Sequence, residues 1–193
     1  NAAKQCEISV LLEPHKIECR SLRDFTNAVS VAETGSTFAE NAALKAVQQA
    51  QALNHWVLAE DSGLVVDALQ GAPGVYSARF AGPQATDAEN NTLLIEKLVN
   101  TPRDHRIAYY ACHATLAAPD GTIKATADGR CYGHIAESAQ GDRGFGYDPY
   151  FIILEYHQTF GELSQAVKSL ISHRGRAIRS IIPMIVKSLL PSS

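Results

Sequence analysis

The sequence predicts a single α/β domain built around a mixed β-sheet. Segments with helical spacing of apolar residues alternate along the chain with segments that have the short apolar runs of strands. One long hairpin interrupts this order: 106–118 and 122–137 are strand-like, and Asp120-Gly121 between them is typical of a tight turn. No internal repeat or low-complexity linker divides the 193 residues, so one domain is expected.

The first part of the chain predicts two helices and three short strands. Residues 2–12 form a helix that ends before Pro14. Thr37 and Glu40 have the spacing of a capping box, which begins a helix that extends to about Leu53. Three short apolar runs are strand candidates, at 16–19, 28–32 and 56–59.

The second part predicts three helices, one further strand and two glycine-rich loops. The helices lie at 87–99, 164–171 and 175–190, and Pro183 should kink the last of them. A short strand is predicted at 150–154. The loops lie at 71–82 and 141–148.

Composition excludes several classes of protein. Hydrophobic residues make up 46% and charged residues 19%, which is typical of a globular protein. No run of 18 uncharged apolar residues is present, so no membrane partner is expected. The net charge is −3 and no basic stripe occurs, which argues against a nucleic-acid partner. The four cysteines form no C-x-x-C pair, and we interpret them as reduced thiols of a cytoplasmic protein.

Two adjacent carboxylates, Glu60 and Asp61, directly follow the predicted strand 56–59. Carboxylates in this position cost free energy unless something compensates their charge. Mg²⁺ is a suitable compensator because it prefers carboxylate and water oxygens. A turn or helix cap is the alternative, since Asp-Ser-Gly is also favourable turn chemistry. Glu33 has no such local role and is a candidate for a second metal ligand.

Basic residues add a second hint. Lys4 and Lys45 lie on predicted helices, where single lysines are usually solvated surface residues. A triphosphate carries about four negative charges, so carboxylates alone would repel it, whereas a bridging metal ion and lysines together neutralise it. His173 and Arg174 follow Ser172 at the start of a helix, where positive charge opposes the helix dipole. This unfavourable placement indicates a ligand role.

The loop 141–148 combines glycines with Phe145 and Tyr147. Glycines let the backbone approach a ligand closely, and an aromatic face can stack on a base. A plain tight loop with Phe145 in the core is the alternative. The sequence contains neither a P-loop nor the nucleophile elbow of serine hydrolases.

Five segments resemble, in the same order, signatures of the inosine triphosphate pyrophosphatase family. They are E-T-G-S-T-F-A-E-N-A-A-L-K-A at 33–46, A-E-D-S-G-L-V-V-D-A-L-Q-G-A-P-G-V-Y-S-A-R-F-A-G at 59–82, G-F-G-Y-D-P-Y-F at 144–151, T-F-G-E-L at 159–163 and S-H-R-G-R-A at 172–177. The resemblance covers essentially the whole chain. It implies a homodimeric α/β protein whose long mixed sheet and flanking helices form two lobes around a central cleft, with 1–193 as one two-lobed domain.

The resemblance also implies Mg²⁺-dependent hydrolysis of the purine nucleoside triphosphates ITP, dITP and XTP to the monophosphate and pyrophosphate, which would cleanse the nucleotide pool. Asp61 matches the metal-binding catalytic base and Lys45 the essential lysine. Glu60 stands where many members have Asp, and it competes with Glu33 as the other metal ligand. The implied substrate contacts are Asn1, Lys4, Ser62, Phe145, Gly146, Tyr147, Asp148, Lys168, His173 and Arg174.

One departure from the family concerns the start of the chain. Members begin with a strand ending in T-x-N-x-x-K, of which only Asn1 and Lys4 are present. We expect that the preceding strand is omitted from this sequence, because losing it would expose the edges of its neighbours.

Two other functions remain open. One is a Maf-like pyrophosphatase for modified pyrimidine triphosphates, against which the E-N-A-x-x-K-A and S-H-R segments argue. The other is an inactive nucleotide-binding sensor. Retention of Lys45, Glu60 and Asp61 argues against the sensor, which would not need a whole catalytic set.

Overall fold

A computed structural model describes residues 2–189 of the chain, with side chains from Lys4 onward. Each of the five predicted helices is confirmed. The observed helices are α1 (Ala2–Leu12), α2 (Phe38–Leu53), α3 (Asp87–Leu98), α4 (Gln165–Ile171) and α5 (His173–Leu189). Among the described residues, no helix combines the length and the apolar character needed to cross a bilayer.

Five strands form one sheet in the order of the chain. They are β1 (Val57–Val66), β2 (Ile107–Ala117), β3 (Ile123–Ile135), β4 (Phe151–Ile153) and β5 (Gln158–Thr159). The predicted hairpin is confirmed: in its turn the Gly121 N–H donates to the Ala118 carbonyl at 2.8 Å. Consecutive strands pair antiparallel, as in the register His134 with Ile152. The α/β class with flanking helices is therefore confirmed, but the described sheet is antiparallel where a mixed sheet was predicted.

The strands predicted at 16–19 and 28–32 are wrong. Lys16 has a φ of 57°, which a strand does not accommodate. The Val29 peptide groups pair with a side chain instead of a strand: the Gln49 amide donates to the Val29 carbonyl at 2.5 Å and accepts from its N–H at 3.2 Å. The apolar run 28–32 thus belongs to a segment that is hydrogen-bonded to α2 through Gln49.

Strand β1 is longer than the predicted strand 56–59 and runs through the positions where a turn was expected. It continues because Leu64 and Val66 are fully buried and hold the extended chain against the core. Successive side chains of a strand point to opposite faces of the sheet. Glu60 and Asp61 are therefore directed to different faces, and the predicted acidic turn at 60–63 is wrong.

The chain forms two compact units, and the first comprises Asn1–Asp61, Cys112–Gly129 and His173–Ser193. Helices cover both faces of its strands. On one face α1 and α5 enclose a cluster that includes Leu12, Leu58, Cys112, Ala114, Leu116, Ile178 and Ile181. On the other face α2 packs its small residues against the sheet, in a cluster of Ala46, Ala50, Leu53, Val57, Ala59 and Ala117. The face that carries Asp61 is thus the face that α2 covers.

The second unit comprises Ser62–Ala111 and Arg130–Ser172. Its core joins α3 to one face of its strands and includes Leu64, Val66, Leu94, Leu98, Tyr110, Phe151 and Phe160. The glycine-rich loop 141–148 belongs to this unit and has no strand or α-helix of its own, as predicted. The single two-lobed domain stays a prediction.

Candidate functional site

The first cluster of chemical groups surrounds Asp61 and consists of Glu33, Asn41, Lys45 and Asp61; we call it the Asp61 cluster. Asn41 and Lys45 are four residues apart on α2 and therefore share a face of the helix. Lys45 Nζ lies 2.9 Å from Asp61 Oδ1 and 3.3 Å from Glu33 Oε1. The Asn41 amide donates to Asp61 Oδ2 at 3.2 Å. One ammonium group thus joins the two carboxylates.

Burial and charge set the protonation of this cluster. Burial is the largest influence on Asp61 and raises its pKa, although Lys45 opposes the shift. Burial also disfavours the charged form of Lys45, but the carboxylates of Asp61 and Glu33 outweigh it, and the pKa of Lys45 is raised. Lys45 therefore stays protonated at neutral pH. A carboxylate whose pKa is raised is a stronger proton acceptor than an ordinary one.

Asn41 is the residue of this cluster that the sequence did not single out. It is fully buried, and its Oδ1 accepts from the Gly35 N–H at 2.8 Å while its amide nitrogen serves Asp61. A side chain on Gly35 would place its Cβ 2.7 Å from that oxygen, so the backbone at Gly35 packs in direct contact with Asn41. The available signal was a polar residue at an interior position of a helix, four residues before Lys45.

A second cluster lies on the opposite face of β1 and consists of Lys4, Glu7, Glu60, Cys112 and Arg174; we call it the Glu60 cluster. Lys4 Nζ lies 2.8 Å from Glu60 Oε1, and Arg174 Nε lies 3.8 Å from the same oxygen. Arg174 Nη1 also contacts Glu7 Oε2 at 2.6 Å. The thiol of Cys112 donates to Glu60 Oε2 at 3.4 Å. Glu60 is thus surrounded by positive charge.

Burial dominates the protonation of the groups near Glu60. It disfavours the charged form of Arg174, but Glu60 and Glu7 outweigh it and raise the pKa of the guanidinium. Burial, followed by the charge of Arg174, lowers the pKa of His173 well below its usual range. Burial also raises the pKa of the Cys112 thiol well above its usual range. At neutral pH Arg174 is charged, whereas His173 and Cys112 are neutral.

The residues predicted to bind a metal ion fit Mg²⁺ unequally. Among residues 2–189, no three His, Cys, Asp or Glu side chains are gathered closely enough to enclose a metal ion by themselves. Mg²⁺ does not need such a cage, because it commonly uses one or two carboxylates together with water and substrate phosphates. Asp61 and Glu33 supply two carboxylates around one ammonium group. Glu60 is directed to the other face, where Lys4 and Arg174 already compensate it.

A third group joins the glycine loop of the second unit to Lys168 on α4. Lys168 Nζ lies 2.9 Å from Asp148 Oδ2 and donates to the Arg143 carbonyl at 3.3 Å. The Phe145 N–H donates to the same Asp148 oxygen at 3.4 Å. Gly144 has a φ of 90°, and a side chain there would displace those of Asp148 and Lys168, so glycine is favoured where the loop closes over this ion pair.

The two aromatic residues of this loop differ in position. Tyr147 is 3% exposed and its hydroxyl donates to the Ser77 carbonyl at 2.8 Å. Burial raises the pKa of that hydroxyl, which therefore stays protonated. Phe145 is only half-buried. The alternative that placed Phe145 in the core is therefore wrong, and Tyr147 is the core residue of the pair.

The structure thus assembles the predicted site residues in groups. Glu33, Lys45 and Asp61 come together, as do Lys4, Glu60 and Arg174 with His173 beside them. Phe145, Gly146, Tyr147 and Asp148 lie in the glycine loop, and Lys168 reaches it from α4 through Asp148. Ser62 is a half-buried residue of β1 in the second unit. Asn1 lies outside the described residues.

These features define an α/β protein in which lysine and arginine surround buried carboxylates, an arrangement suited to a metal-bound anionic ligand. The chain belongs to the Ham1 family, whose sequence model matches residues 1–184. The resemblance found in the five motifs is therefore confirmed.

Relatives and solved structures agree with this assignment. A protein of Rhodopirellula baltica named dITP/XTP pyrophosphatase is 49% identical over 193 residues, which are 100% of this chain and 93% of that protein. A protein of the same name from Exiguobacterium sp. is 48% identical, over 96% of this chain and 93% of that protein. The solved HAM1 protein of Coxiella burnetii has a TM-score of 0.88 and 36% identity, covering 97% of this chain and 95% of that one. The Ham1 protein of Staphylococcus aureus has a TM-score of 0.85 and 38% identity, covering 96% of this chain and 94% of that one.

The double role of Asn41 predicts a large loss of stability when it is removed. Asn41→Ala should lower the free energy of unfolding by about 1–3 kcal/mol, because it leaves the Gly35 N–H and an Asp61 oxygen without their partner. Asn27→Ala is the matched control. Asn27 is exposed and lies outside α2, and it donates to the carbonyl of Ala52, which belongs to the same helix α2 as Asn41. Urea unfolding measures both changes. Equal losses in the two variants would contradict the bridging role of Asn41.

Proposed function

We propose that this chain hydrolyses ITP, dITP and XTP to the corresponding monophosphate and pyrophosphate, and so clears deaminated purines from the nucleotide pool. The observation that carries the proposal is the Asp61 cluster, in which a buried carboxylate with a raised pKa is held between Lys45 and Asn41. The names of the relatives, dITP/XTP pyrophosphatase, support the choice of substrates.

We propose Mg²⁺ as the cofactor, held by Asp61 and Glu33. When bound, Mg²⁺ would supply charge that stabilises the phosphate oxygens. The two carboxylates support this assignment because both lie within 3.3 Å of the Lys45 ammonium group. Glu60, the third ligand predicted from the sequence, is the weaker candidate because Lys4 already compensates it at 2.8 Å.

The chain's own groups account for the rest of the reaction. Asp61 accepts the proton of the attacking water, and Lys45 and Asn41 hold its carboxylate in place for this role. Water attacks the α phosphorus, the bond between the α phosphorus and the bridging oxygen breaks, and pyrophosphate leaves with that oxygen. Lys45 stabilises negative charge that develops on the phosphates. Lys4, held by Glu60 on the other face of β1, is proposed to contact the phosphates as well.

Recognition of the base is assigned to donors that do not titrate at neutral pH. Hypoxanthine and xanthine present an acceptor oxygen at position 6, where adenine presents an amino donor. Arg174 is a permanent donor, and neutral His173 retains one ring N–H. A fixed N–H donor would form a hydrogen bond with the oxygen of hypoxanthine or xanthine. It would face the amino group of adenine, which is also a donor, without forming a bond. This difference can produce discrimination of roughly 10⁴-fold against adenine nucleotides.

The glycine loop is proposed to contact the base separately. Phe145 is the ring available for stacking, because Tyr147 is buried in the core. Gly146, Asp148 and Lys168 stay predicted substrate contacts. The ion pair between Lys168 and Asp148 supports a role in shaping the loop.

We further propose a cytoplasmic homodimer. The four cysteines Cys6, Cys19, Cys112 and Cys131 are free thiols, which is typical of a reducing compartment. For the dimer, the face of β2 and β3 opposite the core of the second unit supplies a suitable surface. Tyr132 is 59% and Ile107 43% exposed there, and the Tyr109 ring lies 5.4 Å from that of Tyr132. Exposed aromatic residues of this kind are enriched in interfaces.

The substrate proposal predicts the products of a single assay. With Mg²⁺, the protein should release pyrophosphate from ITP, dITP and XTP much faster than from ATP or GTP. Equal rates with ATP and ITP would refute the base specificity, and release of orthophosphate would refute cleavage between the α and β phosphates. Preference for a methylated pyrimidine triphosphate would support the Maf-like alternative. Binding without hydrolysis of any of them would support the sensor.

The opposite orientation of Glu60 and Asp61 predicts that substitution of Asp61 slows catalysis and that substitution of Glu60 leaves the Mg²⁺ requirement unchanged. Asp61→Asn should lower kcat by about 10²–10⁴-fold, because it removes the proton acceptor. Glu60→Gln should leave the Mg²⁺ concentration for half-maximal activity unchanged, because Glu60 compensates Lys4 and Arg174. Asp128→Asn is the control, since its carboxylate is 76% exposed on β3. A raised Mg²⁺ requirement in Glu60→Gln would restore Glu60 as a metal ligand.

The proposed dimer surface predicts a change in molar mass. Tyr132→Glu should convert the dimer to a monomer, because it places a charge at the centre of an aromatic interface. Met184→Glu is the control, since Met184 is an exposed hydrophobic residue of the first unit. Light scattering measures both proteins at equal concentration. A monomeric wild-type protein, or a Tyr132→Glu dimer, would refute this surface.

A further inference from the structure

Helix α3 holds the glycine loop by both peptide groups of one residue, Gly146. The Gly146 N–H donates to Asp87 Oδ2 at 2.6 Å, and the Asn91 amide donates to the Gly146 carbonyl at 2.9 Å. Asp87 and Asn91 are four residues apart and share a face of α3. All three residues belong to the second unit. We call this pair of bonds the Gly146 clamp.

The clamp acts at the residue that directly follows Phe145 in the loop. Tyr147 is anchored through its hydroxyl to Ser77, and Asp148 through its ion pair with Lys168. Gly146 lies between these anchors and Phe145, with a φ of 60°. Glycine adopts many other backbone conformations at little cost. Hydrogen bonds to both of its peptide groups restrict that freedom.

Asn91 is poorly explained by stability alone. It is 8% exposed, and within residues 2–189 its Oδ1 has no hydrogen-bond partner. The Gly146 carbonyl can only accept a hydrogen bond, so the amide nitrogen of Asn91 must face it. The amide oxygen of Asn91 is then the atom without a hydrogen-bond partner. A buried polar atom without a partner costs free energy. A leucine of similar size would avoid that cost, whereas only the amide can hold Gly146.

We propose that Asp87 and Asn91 are positioning residues for base recognition, which fix the peptide planes of Gly146 and so orient the Phe145 ring for stacking on the purine. This inference rests on the proposed function. Neither residue needs to touch the substrate. Their contribution is preorganisation: a loop that is already ordered loses less entropy when the base binds.

Asn91→Leu tests the proposal, and its neighbour supplies the matched control. Asn90 is 2% exposed and uses both halves of its amide, accepting from the Ala81 N–H and donating to the Ala78 carbonyl. Asn90→Leu should therefore lower the thermal unfolding midpoint and leave KM for ITP unchanged. Asn91→Leu breaks one hydrogen bond where Asn90→Leu breaks two, so it should lower the midpoint less; it should keep kcat within about twofold but raise KM about tenfold, as expected for a lost ordering contact.

Product inhibition separates the base from the phosphates. The inhibition constant of inosine monophosphate should rise in Asn91→Leu in parallel with KM, whereas that of inorganic pyrophosphate should not change. An unchanged KM in Asn91→Leu, or an equal rise of KM in Asn91→Leu and Asn90→Leu, would overturn the positioning role.

The failure of the proposed function would be recognised independently. If the wild-type protein released no pyrophosphate from ITP, the proposed function would fail. Calorimetric titration with inosine monophosphate would then still test the clamp, because it measures binding without turnover. Weaker binding by Asn91→Leu and unchanged binding by Asn90→Leu would support the clamp, and equal binding by all three proteins would overturn it.

Discussion

The ion pair between Lys45 and Asp61 is the interaction on which the candidate site depends. Asp61 lies on a strand that α2 covers, and burial there disfavours its charged form. Lys45 at 2.9 Å and the Asn41 amide at 3.2 Å offset that cost. Because both come from one face of α2, the packing of small alanines against the sheet also determines the distance between the charges. The packing of α2 and the geometry of the Asp61 cluster are therefore a single constraint.

The alternation of β1 gives its two acidic residues different environments. Asp61 meets one lysine, a neutral amide and a second carboxylate, so it keeps capacity to bind a cation. Glu60 meets Lys4 and Arg174, and Arg174 is in turn held by Glu7. A carboxylate between two cations is suited to orienting them rather than to attracting another. One strand thus presents a carboxylate on each face, with one lysine and a second carboxylate beside Asp61 and with a lysine and an arginine beside Glu60.

The sequence predicted the parts of this structure that depend on local chemistry. The α2 cap formed by Thr37 and the β2–β3 hairpin follow from capping and turn preferences of neighbouring residues. The course of β1 through 60–63 does not, because Asp-Ser-Gly favours a turn locally and only burial of Leu64 and Val66 overrides it. Segment 28–32 has the pattern of a strand, yet Gln49 from a distant helix takes its hydrogen bonds. In the site, the charged residues were recognisable from their motifs, whereas the roles of Asn41 and Asn91 depend on tertiary contacts with Asp61 and Gly146.

The glycine loop shows why such tertiary contacts are needed. A side chain on Gly144 would displace those of Asp148 and Lys168, and both Gly144 and Gly146 adopt a positive φ. The same freedom that allows these conformations would let the loop leave them. A loop of this kind can hold an aromatic ring in place only if groups outside it bind its backbone. Lys168 does so through the Arg143 carbonyl, and α3 does so through Gly146. The order of the loop is therefore a property of the helices beside it, α3 and α4.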